Sequence, residues 1–200
     1  MAKANWAVVS PASGSGNKTV NVSSSAPHTG REARSTTLTI TAANVSANTV
    51  TVNQAGKPEY VSSQDAATAQ KAGQNVTISG TANSKKLTFS LGSGDLSITL
   101  PSKYKAASLD TNNGTEISGD PGATAEYDWS IVIAVAANAT ITEKSKQIIV
   151  TDENGNTDTC ILTQAAGDAT LSVSKSAVDL TYEGTAVSFN VTSNTSWTIS

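Results

Sequence analysis

Aromatic side chains are the residues of this chain best suited to sugar recognition, because an aromatic ring offers an apolar face and a polar edge. Trp6, Tyr60 and Tyr104 are the aromatic residues that could contact a glycan in this way. Trp129 and Trp197 each head a segment of alternating apolar and polar residues. We predict that both pack in a core, as tryptophans do in immunoglobulin-like sandwiches. Trp6 also heads such a segment, so a core role stays open for it.

Acidic residues and the single histidine show no pattern for catalysis or metal binding. His28 lies beside Pro27. A catalytic histidine needs a nucleophile and a metal-binding histidine needs further ligands, and the sequence shows a pattern for neither. We therefore predict that His28 is a solvated loop residue. Side chains that could contribute oxygen ligands to a calcium ion are Asp110, Asp120, Asp128, Asp152 and Glu153. Residues 152–158 lack the spacing of a twelve-residue calcium loop and fit a polar hairpin tip better. The sequence predicts no catalytic residue, no metal, no cofactor and no enzyme activity.

The composition is typical of an all-β protein. Hydrophobic residues make up 38% of the chain and aromatic residues 4%, so a core must consist mainly of Val, Ile, Leu and Ala. Thr and Val favour half-buried strands, and Gly, Asn and Asp favour turns. The formal net charge of −3 argues against nucleic-acid binding, which requires clustered Lys and Arg. We expect no membrane insertion, because the apolar stretch 131–137 is far shorter than the roughly 20 residues of a spanning helix.

Residues 57–167 have the pattern of a complete immunoglobulin-like sandwich, with short apolar segments separated by turn signals such as Asn154-Gly155. Strands are predicted at 59–63, 75–79, 87–91, 96–100, 128–136, 146–151 and 158–164. Residues 66–72 favour a single helical turn. The only cysteine, Cys160, lies in an apolar run and is predicted to be a buried, unreactive thiol.

The two ends of the chain each contain too few strands for a sandwich. Alternating segments occur at 6–9, 18–22, 37–40 and 50–52, and again at 171–173, 178–180, 187–191 and 197–199. A segment of about 33 residues is too small to hold a core alone. We therefore predict an all-β fold of two immunoglobulin-like β-sandwich domains, one of them split between the chain ends. Residues 1–56 form the back half, 57–167 a complete domain and 168–200 the front half, which closes on 1–56 within one chain or between neighbouring chains.

The segments at both ends resemble the BACON family, an immunoglobulin-like module named for Bacteroidetes-associated, carbohydrate-binding, often N-terminal domains. Residues 171–200 resemble the first half of such a domain. Trp6 resembles part of the second half of a BACON domain, as do residues 10–17, 30–34, 38–40 and 50–56. Residues 57–167 resemble a more diverged copy, and the strand and exit at 161–167 repeat those at 50–56. Similar domains occur in structural proteins of crAss-like gut phages.

This resemblance implies a non-enzymatic role in binding or assembly. We expect a structural or adhesive virion protein of a gut bacteriophage, such as a capsid decoration, head-fibre or tail component assembled in the host cytoplasm. The absence of an apolar secretory core in the first residues favours this interpretation. Expected partners are further copies of the chain through strand or half-domain complementation, other virion proteins and, weakly, surface glycans. The alternative is a carbohydrate-binding module of a secreted or cell-surface Bacteroidetes protein.

Overall fold

The computed structural model describes residues 3–200, in which β-strands dominate. The strands of these residues are β1 (Ala7–Ser10), β2 (Asn21–Ser24), β3 (Arg34–Ile40), β4 (Asn48–Gln54), β5 (Val61–Ser63), β6 (Ala66–Ala69), β7 (Gln74–Ala82), β8 (Thr88–Leu91), β9 (Lys103–Ala106), β10 (Leu109–Asn112), β11 (Tyr127–Val135), β12 (Lys144–Thr151), β13 (Thr157–Gln164), β14 (Leu171–Val173) and β15 (Val191–Ser193). A short 3-10 helix spans Pro121–Ala123. No helix within residues 3–200 has the length and apolarity needed to cross a membrane.

Strands β5 to β13 form a two-layer sandwich, which we call the central domain (residues 57–167). One sheet has the strand order β10-β9-β11-β7-β5 and the other β6-β13-β12-β8. Neighbouring strands run antiparallel except β6 and β13, which are parallel. The predicted all-β sandwich class is confirmed.

The core of the central domain lies between these sheets and follows the alternation of β11. Tyr127, Trp129 and Ile131 point inward and are at most 6% exposed. The indole Nε1 of Trp129 donates to the Ser62 carbonyl at 3.1 Å, and its ring meets Phe89 edge-on with 5.2 Å between centroids. The predicted core role of Trp129 is therefore confirmed.

Cys160 is fully buried in the same core, as predicted. Burial raises the pKa of its thiol to about 11, so the thiol is protonated at neutral pH. A protonated, buried thiol is a poor nucleophile.

Two local predictions within the central domain are wrong. Ala66–Ala69 is strand β6 rather than a helical turn, because it pairs with β13 and buries Ala67 and Ala69 in the core. Tertiary pairing here overrides the helix propensity of alanine. Residues 96–100 form no strand, although Leu96 is buried.

The β9–β10 hairpin was not predicted from the sequence. Its turn residues, Ala107 and Ser108, both have a positive φ, of 46° and 72°. This conformation is usually taken by Gly or Asn, so the turn carries none of the usual residues that signal a hairpin.

The N-terminal segment (residues 3–56) and the C-terminal segment (168–200) form only two-stranded ladders. β1 pairs with β2, β3 with β4, and β14 with β15. The predicted strands at 178–180 and 197–199 have no paired neighbour within residues 3–200, so they remain extended chain. The two segments share no ladder with each other in this single chain.

Each terminal segment is joined to the central domain through a buried or half-buried asparagine. The Asn83 side chain accepts from the Tyr60 amide at 2.9 Å and donates to the carbonyl of Thr29 at 3.3 Å. Asn194 does the same at the other junction, accepting from the Thr170 amide at 2.8 Å and donating to the Ala139 carbonyl at 3.1 Å. Both junctions therefore have the same hydrogen-bonded construction.

An ion pair reinforces the N-terminal junction. The Arg31 guanidinium binds both carboxylate oxygens of Asp120, with 2.7 Å between Nη1 and Oδ1, and Nη1 also donates to the Asn83 carbonyl at 3.2 Å. The Arg31 and Glu32 amides donate to the carbonyls of Gly122 and Ala123, each at 3.0 Å. The hydrogen bond from Arg31 holds the pKa of Asp120 below its usual value.

Replacing Asp120 with Asn is expected to weaken docking of the N-terminal segment by about 1 kcal/mol at neutral pH, because the bidentate pair is partly exposed and screened. Because the pKa of Asp120 is lower in the folded protein than its ordinary value of 3.8, the ionised carboxylate stabilises the docked state at pH values above 3.8. This contribution is lost as the pH falls through the pKa of the folded state. Hydrogen exchange at the Arg31 and Glu32 amides measures this docking.

The matched control for Asp120→Asn is Glu116→Gln, which removes an exposed pair with Lys85. Exchange at the two amides should accelerate only in Asp120→Asn. The wild type should also lose protection at acidic pH while Asp120→Asn stays flat. Equal acceleration in both variants would show that the Arg31 pair does not hold the junction.

Candidate functional site

An open groove of about 730 Å³ lies on the outer face of the five-stranded sheet, across β7, β9 and β11. Most of the side chains around it carry a hydroxyl or a charge. Its lining residues are Ser79, Gly80, Thr81, Lys105, Ser108, Asp128, Trp129 and Ser130. We call it the outer-face groove.

The alternation that builds the core also sets the chemistry of this groove. Because Trp129 points inward on β11, its neighbours Asp128 and Ser130 point outward. The ladder places Ser130 opposite both Ser79 and Lys105. Directly opposed residues have their Cβ atoms about 5 Å apart, so these side chains form one polar surface.

A second row of the groove pairs Asp128 with Thr81. The Asp128 carboxylate accepts hydrogen bonds, the Lys105 ammonium donates them, and the hydroxyls do both. The Lys105 Nζ lies 2.8 Å from Asp110 Oδ1, and this pair lowers the pKa of Asp110. The arrangement suits a ligand that carries several hydroxyl groups side by side.

The groove offers no stacking platform, because Trp129 is only 2% exposed. Trp6 and Tyr60, two of the expected glycan contacts, do not line it. Trp6 is half-buried, and the Arg34 guanidinium carbon lies 4.6 Å from its ring centroid. The Lys57 ammonium lies 3.7 Å from the Tyr60 centroid. A cation therefore covers one face of each ring.

Tyr104, the third expected glycan contact, is a core residue, and that expectation is corrected. It is 3% exposed, its ring lies 5.0 Å from that of Phe89, and its hydroxyl accepts from the Leu87 amide at 3.3 Å. Burial raises the pKa of the Tyr104 hydroxyl. The unrecognised strand β9 explains the error, because alternation along β9 turns Tyr104 inward and Lys105 outward.

Trp197 is predicted to lie in a core, but in this single chain its side chain is 48% exposed. It lies in the unpaired end of the C-terminal segment, beyond β15. A core position for Trp197 requires a second layer that residues 3–200 of one chain do not supply.

Three of the acidic residues that could bind calcium each have a different hydrogen-bond or ion-pair partner. Asp120 binds Arg31, Glu153 lies 3.4 Å from Lys85, and Asp152 accepts from the Asn156 side chain at 2.7 Å within its hairpin tip. The described residues 3–200 contain no group of three or more His, Cys, Asp or Glu side chains that could hold a metal ion. His28 Nε2 lies 2.7 Å from the Glu32 carbonyl, a local loop contact in which the nitrogen is the donor.

The residues of the outer-face groove were not recognised as a group from the sequence. The sequence suggests Asp128 only as a calcium ligand and gives no functional signal for Lys105. The alternation Lys103-Tyr104-Lys105-Ala106 was the available signal for β9. The register of β9 against β11 depends on pairing between residues that are distant in sequence, so the alternation alone does not predict it.

Comparison with known proteins shows that the N-terminal segment is similar to a family of binding domains. Residues 1–55 match the BACON family model, described as "Putative binding domain, N-terminal". An NMR structure of a protein from Bacteroides thetaiotaomicron is similar at 14% identity and a TM-score of 0.29, over 56% of this chain and 91% of that chain. No curated protein sequence matches the chain.

The family match does not support the expected role in a phage virion. A family of binding modules instead favours the alternative interpretation, a carbohydrate-binding type of module, and it is not a catalytic family. The resemblance seen in the sequence is confirmed for the segment that the family model covers. The match extends over residues 1–55, and this segment is similar to the BACON family of binding domains.

Proposed function

We propose that this chain is a carbohydrate-binding module of a secreted or cell-surface Bacteroidetes protein, and that it acts by binding rather than catalysis. The observation that carries the proposal is the outer-face groove, in which a carboxylate, an ammonium and several hydroxyls converge on three paired strands. The family match at residues 1–55 supports a binding role.

The groove suits a carbohydrate because a carboxylate, an ammonium and several hydroxyls stand on a rigid sheet. Lys105, Ser130 and Ser79 share one row across β9, β11 and β7, and Asp128 stands beside Thr81 in another row. The backbone of paired strands is held in place, so little backbone freedom is lost when a ligand binds. A sugar chain that lies across the strands would exchange its hydration for these groups.

The affinity of such a site is expected to be modest. Without an aromatic face, binding depends on hydrogen bonds that replace bonds to water, each contributing about 1 kcal/mol. A dissociation constant on the order of 1 mM corresponds to about −4 kcal/mol and fits a few such bonds. Trp6 and Tyr60, each with a cation over one ring face, remain candidates for accessory contacts.

Replacing Asp128 with Ala, or Lys105 with Ala, is expected to weaken glycan binding at least tenfold without unfolding the domain, since both side chains are exposed on the sheet surface. A glycan array identifies a ligand, and isothermal titration calorimetry measures its affinity. Asp65→Ala is the matched control, because Asp65 is an exposed acid that precedes β6 of the other sheet.

The proposal fails if the wild-type chain binds no glycan on the array. It also fails in its placement of the site if Asp128→Ala and Lys105→Ala bind as tightly as Asp65→Ala. Trp6→Ala and Tyr60→Ala, tested on the same ligand, decide whether those rings contribute.

A further inference from the structure

We propose that Ser108 is a specificity-determining residue of the outer-face groove, that a strained turn holds it beside Asp128, and that the two side chains select neutral sugars with adjacent free hydroxyl groups. This role rests on the glycan binding proposed above. It adds the residue and the feature of the sugar that set the selectivity of the groove.

The strain lies in the two-residue loop between β9 and β10. The ladder pairs Ala106 with Leu109, so Ala107 and Ser108 alone form the loop. Their φ values are 46° and 72°. A type I′ turn requires a positive φ at both positions and usually has Asn-Gly there. A Cβ atom at such a φ lies too close to the neighbouring carbonyl oxygen, so this loop costs stability.

Other turns of the chain avoid this cost. Every other positive φ within residues 3–200 belongs to Gly, Asn or Asp, the residue types that tolerate it best. The hairpin tip between β12 and β13, for example, places Gly155 at a φ of 86°. Ala107 and Ser108 therefore depart from the pattern of their own chain. Strained positions of this kind are concentrated at functional sites, where they form part of the mechanism.

Contacts with β11 fix the strained loop at one end of the groove. The Ala107 amide donates to the Asp128 carbonyl at 3.0 Å, next to the pairing of Ala106 with Trp129. On the side of β7, Asp128 is paired with Thr81. The loop therefore continues the row of the sheet that contains Asp128 and Thr81.

The two loop residues differ in their relation to the groove. Ser108 is one of its lining residues, together with Asp128 and Thr81, whereas Ala107 is not. Both loop residues are exposed, so neither side chain supports the core. Ser108 is therefore the residue whose ligand contact offsets the strain. Ala107 shares the backbone conformation because the turn requires a positive φ at both positions.

This row of the groove places a carboxylate between two hydroxyls, in the order Ser108, Asp128 and Thr81. A carboxylate only accepts hydrogen bonds and has two oxygens for them, whereas a hydroxyl both donates and accepts. Two adjacent hydroxyls of one sugar ring can donate to the two carboxylate oxygens and accept from the hydroxyls on either side. Hydrogen bonds to a charged group are stronger than those between neutral groups. The row therefore favours a sugar with two adjacent free hydroxyls.

Charge at the groove favours a neutral sugar over an acidic one. The Lys105 ammonium is already paired with Asp110, at 2.8 Å between Nζ and Oδ1. The ion pairs within residues 3–200 do not include Asp128. A carboxylate or sulfate group on the ligand would bring a like charge to Asp128, and like charges repel.

Two glycine substitutions separate the strain from the binding. Glycine adopts a positive φ without a steric cost, so Ser108→Gly and Ala107→Gly are both expected to raise the urea midpoint of the central domain. Only Ser108→Gly removes a hydroxyl from the groove. It is expected to weaken polysaccharide binding roughly fivefold, as for the loss of one ordinary hydrogen bond, whereas Ala107→Gly should bind as the wild type does.

Affinity electrophoresis of the full chain measures this binding in gels that contain a soluble polysaccharide. Galactomannan and mixed-linkage β-glucan are neutral and have adjacent free hydroxyls, and at least one of them should retard the wild type. Laminarin is the control for the hydroxyls, because its linkage uses the middle hydroxyl of the ring and separates the free ones. Polygalacturonate is the control for charge, since it has adjacent hydroxyls and adds a carboxylate to each sugar. Neither control should retard the wild type as strongly.

Two results would overturn the assigned sugar class: retardation of the wild type by neither neutral gel, or retardation by a control gel that is as strong. Equal binding by Ser108→Gly and Ala107→Gly would refute the role of Ser108 and leave glycan binding intact. A lower urea midpoint in either glycine variant would show that the loop is not strained and would also overturn the proposal. The proposed function fails separately, when the glycan array shows no bound glycan.

Discussion

Replacing Trp129 with Ala is expected to lower the free energy of unfolding of the central domain by about 3–5 kcal/mol, the range measured for large aromatic side chains removed from cores. Trp129 is 2% exposed, packs on Phe89 and donates to the Ser62 carbonyl. The variant loses the apolar contact and the hydrogen bond of the indole. Urea unfolding followed by circular dichroism measures the loss.

Trp197→Ala is the control for this prediction. Trp197 is 48% exposed in the single chain, so its removal should cost less than about 0.5 kcal/mol under conditions in which the chain is monomeric. A similar loss in both variants would contradict the assignment of the core.

Alternation along the chain was sufficient to predict the strands whose burial is set locally. β11 buries every second residue along its length, and β12 and β13 do so over 148–150 and 160–164. The predicted segments 128–136, 146–151 and 158–164 overlap these strands. The same rule identified Trp129 as a core residue. Local pattern fails where long-range pairing decides the structure, as in β6, whose alanines favour helix until β13 supplies a parallel partner.

The candidate site could not be predicted because it depends on register between strands that are distant in sequence. Lys105 and Ser130 meet only because β9 pairs with β11, and the turn at Ala107-Ser108 that creates β9–β10 has no glycine or asparagine. The burial of Tyr104, which was expected to contact a glycan, depends on the same pairing of β9 with β11. Its partner Phe89 lies on the opposite sheet, so its burial is a property of the closed sandwich.

The strands at the chain ends show the limit of pattern in another way. Residues 178–180 alternate as a strand should, and residues 187–191 do so up to the start of β15 at Val191. A strand is stabilised by pairing on its edges and by burial of one face, and a two-stranded ladder alone is marginal in water. Alternation alone therefore does not produce a paired strand at 178–180 within residues 3–200.

Replacing Asn83 with Ala is expected to cost about 2–4 kcal/mol, because one fully buried side chain satisfies several main-chain groups. Its Oδ1 accepts from the Tyr60 amide, and its Nδ2 lies 3.3 Å from the carbonyls of Thr29, Lys57 and Pro58. Alanine leaves the Tyr60 amide without its acceptor in a site closed to water. The loss should appear as lower stability of the central domain and as faster hydrogen exchange at the Tyr60 amide.

Asn194→Ala is the matched control, since Asn194 has the equivalent role at the other junction but is only half-buried. In the monomeric chain it should free the C-terminal segment while the urea midpoint of the central domain stays unchanged. If Asn83→Ala is as mild as Asn194→Ala, the Asn83 hydrogen bonds do not determine the fold of the first junction.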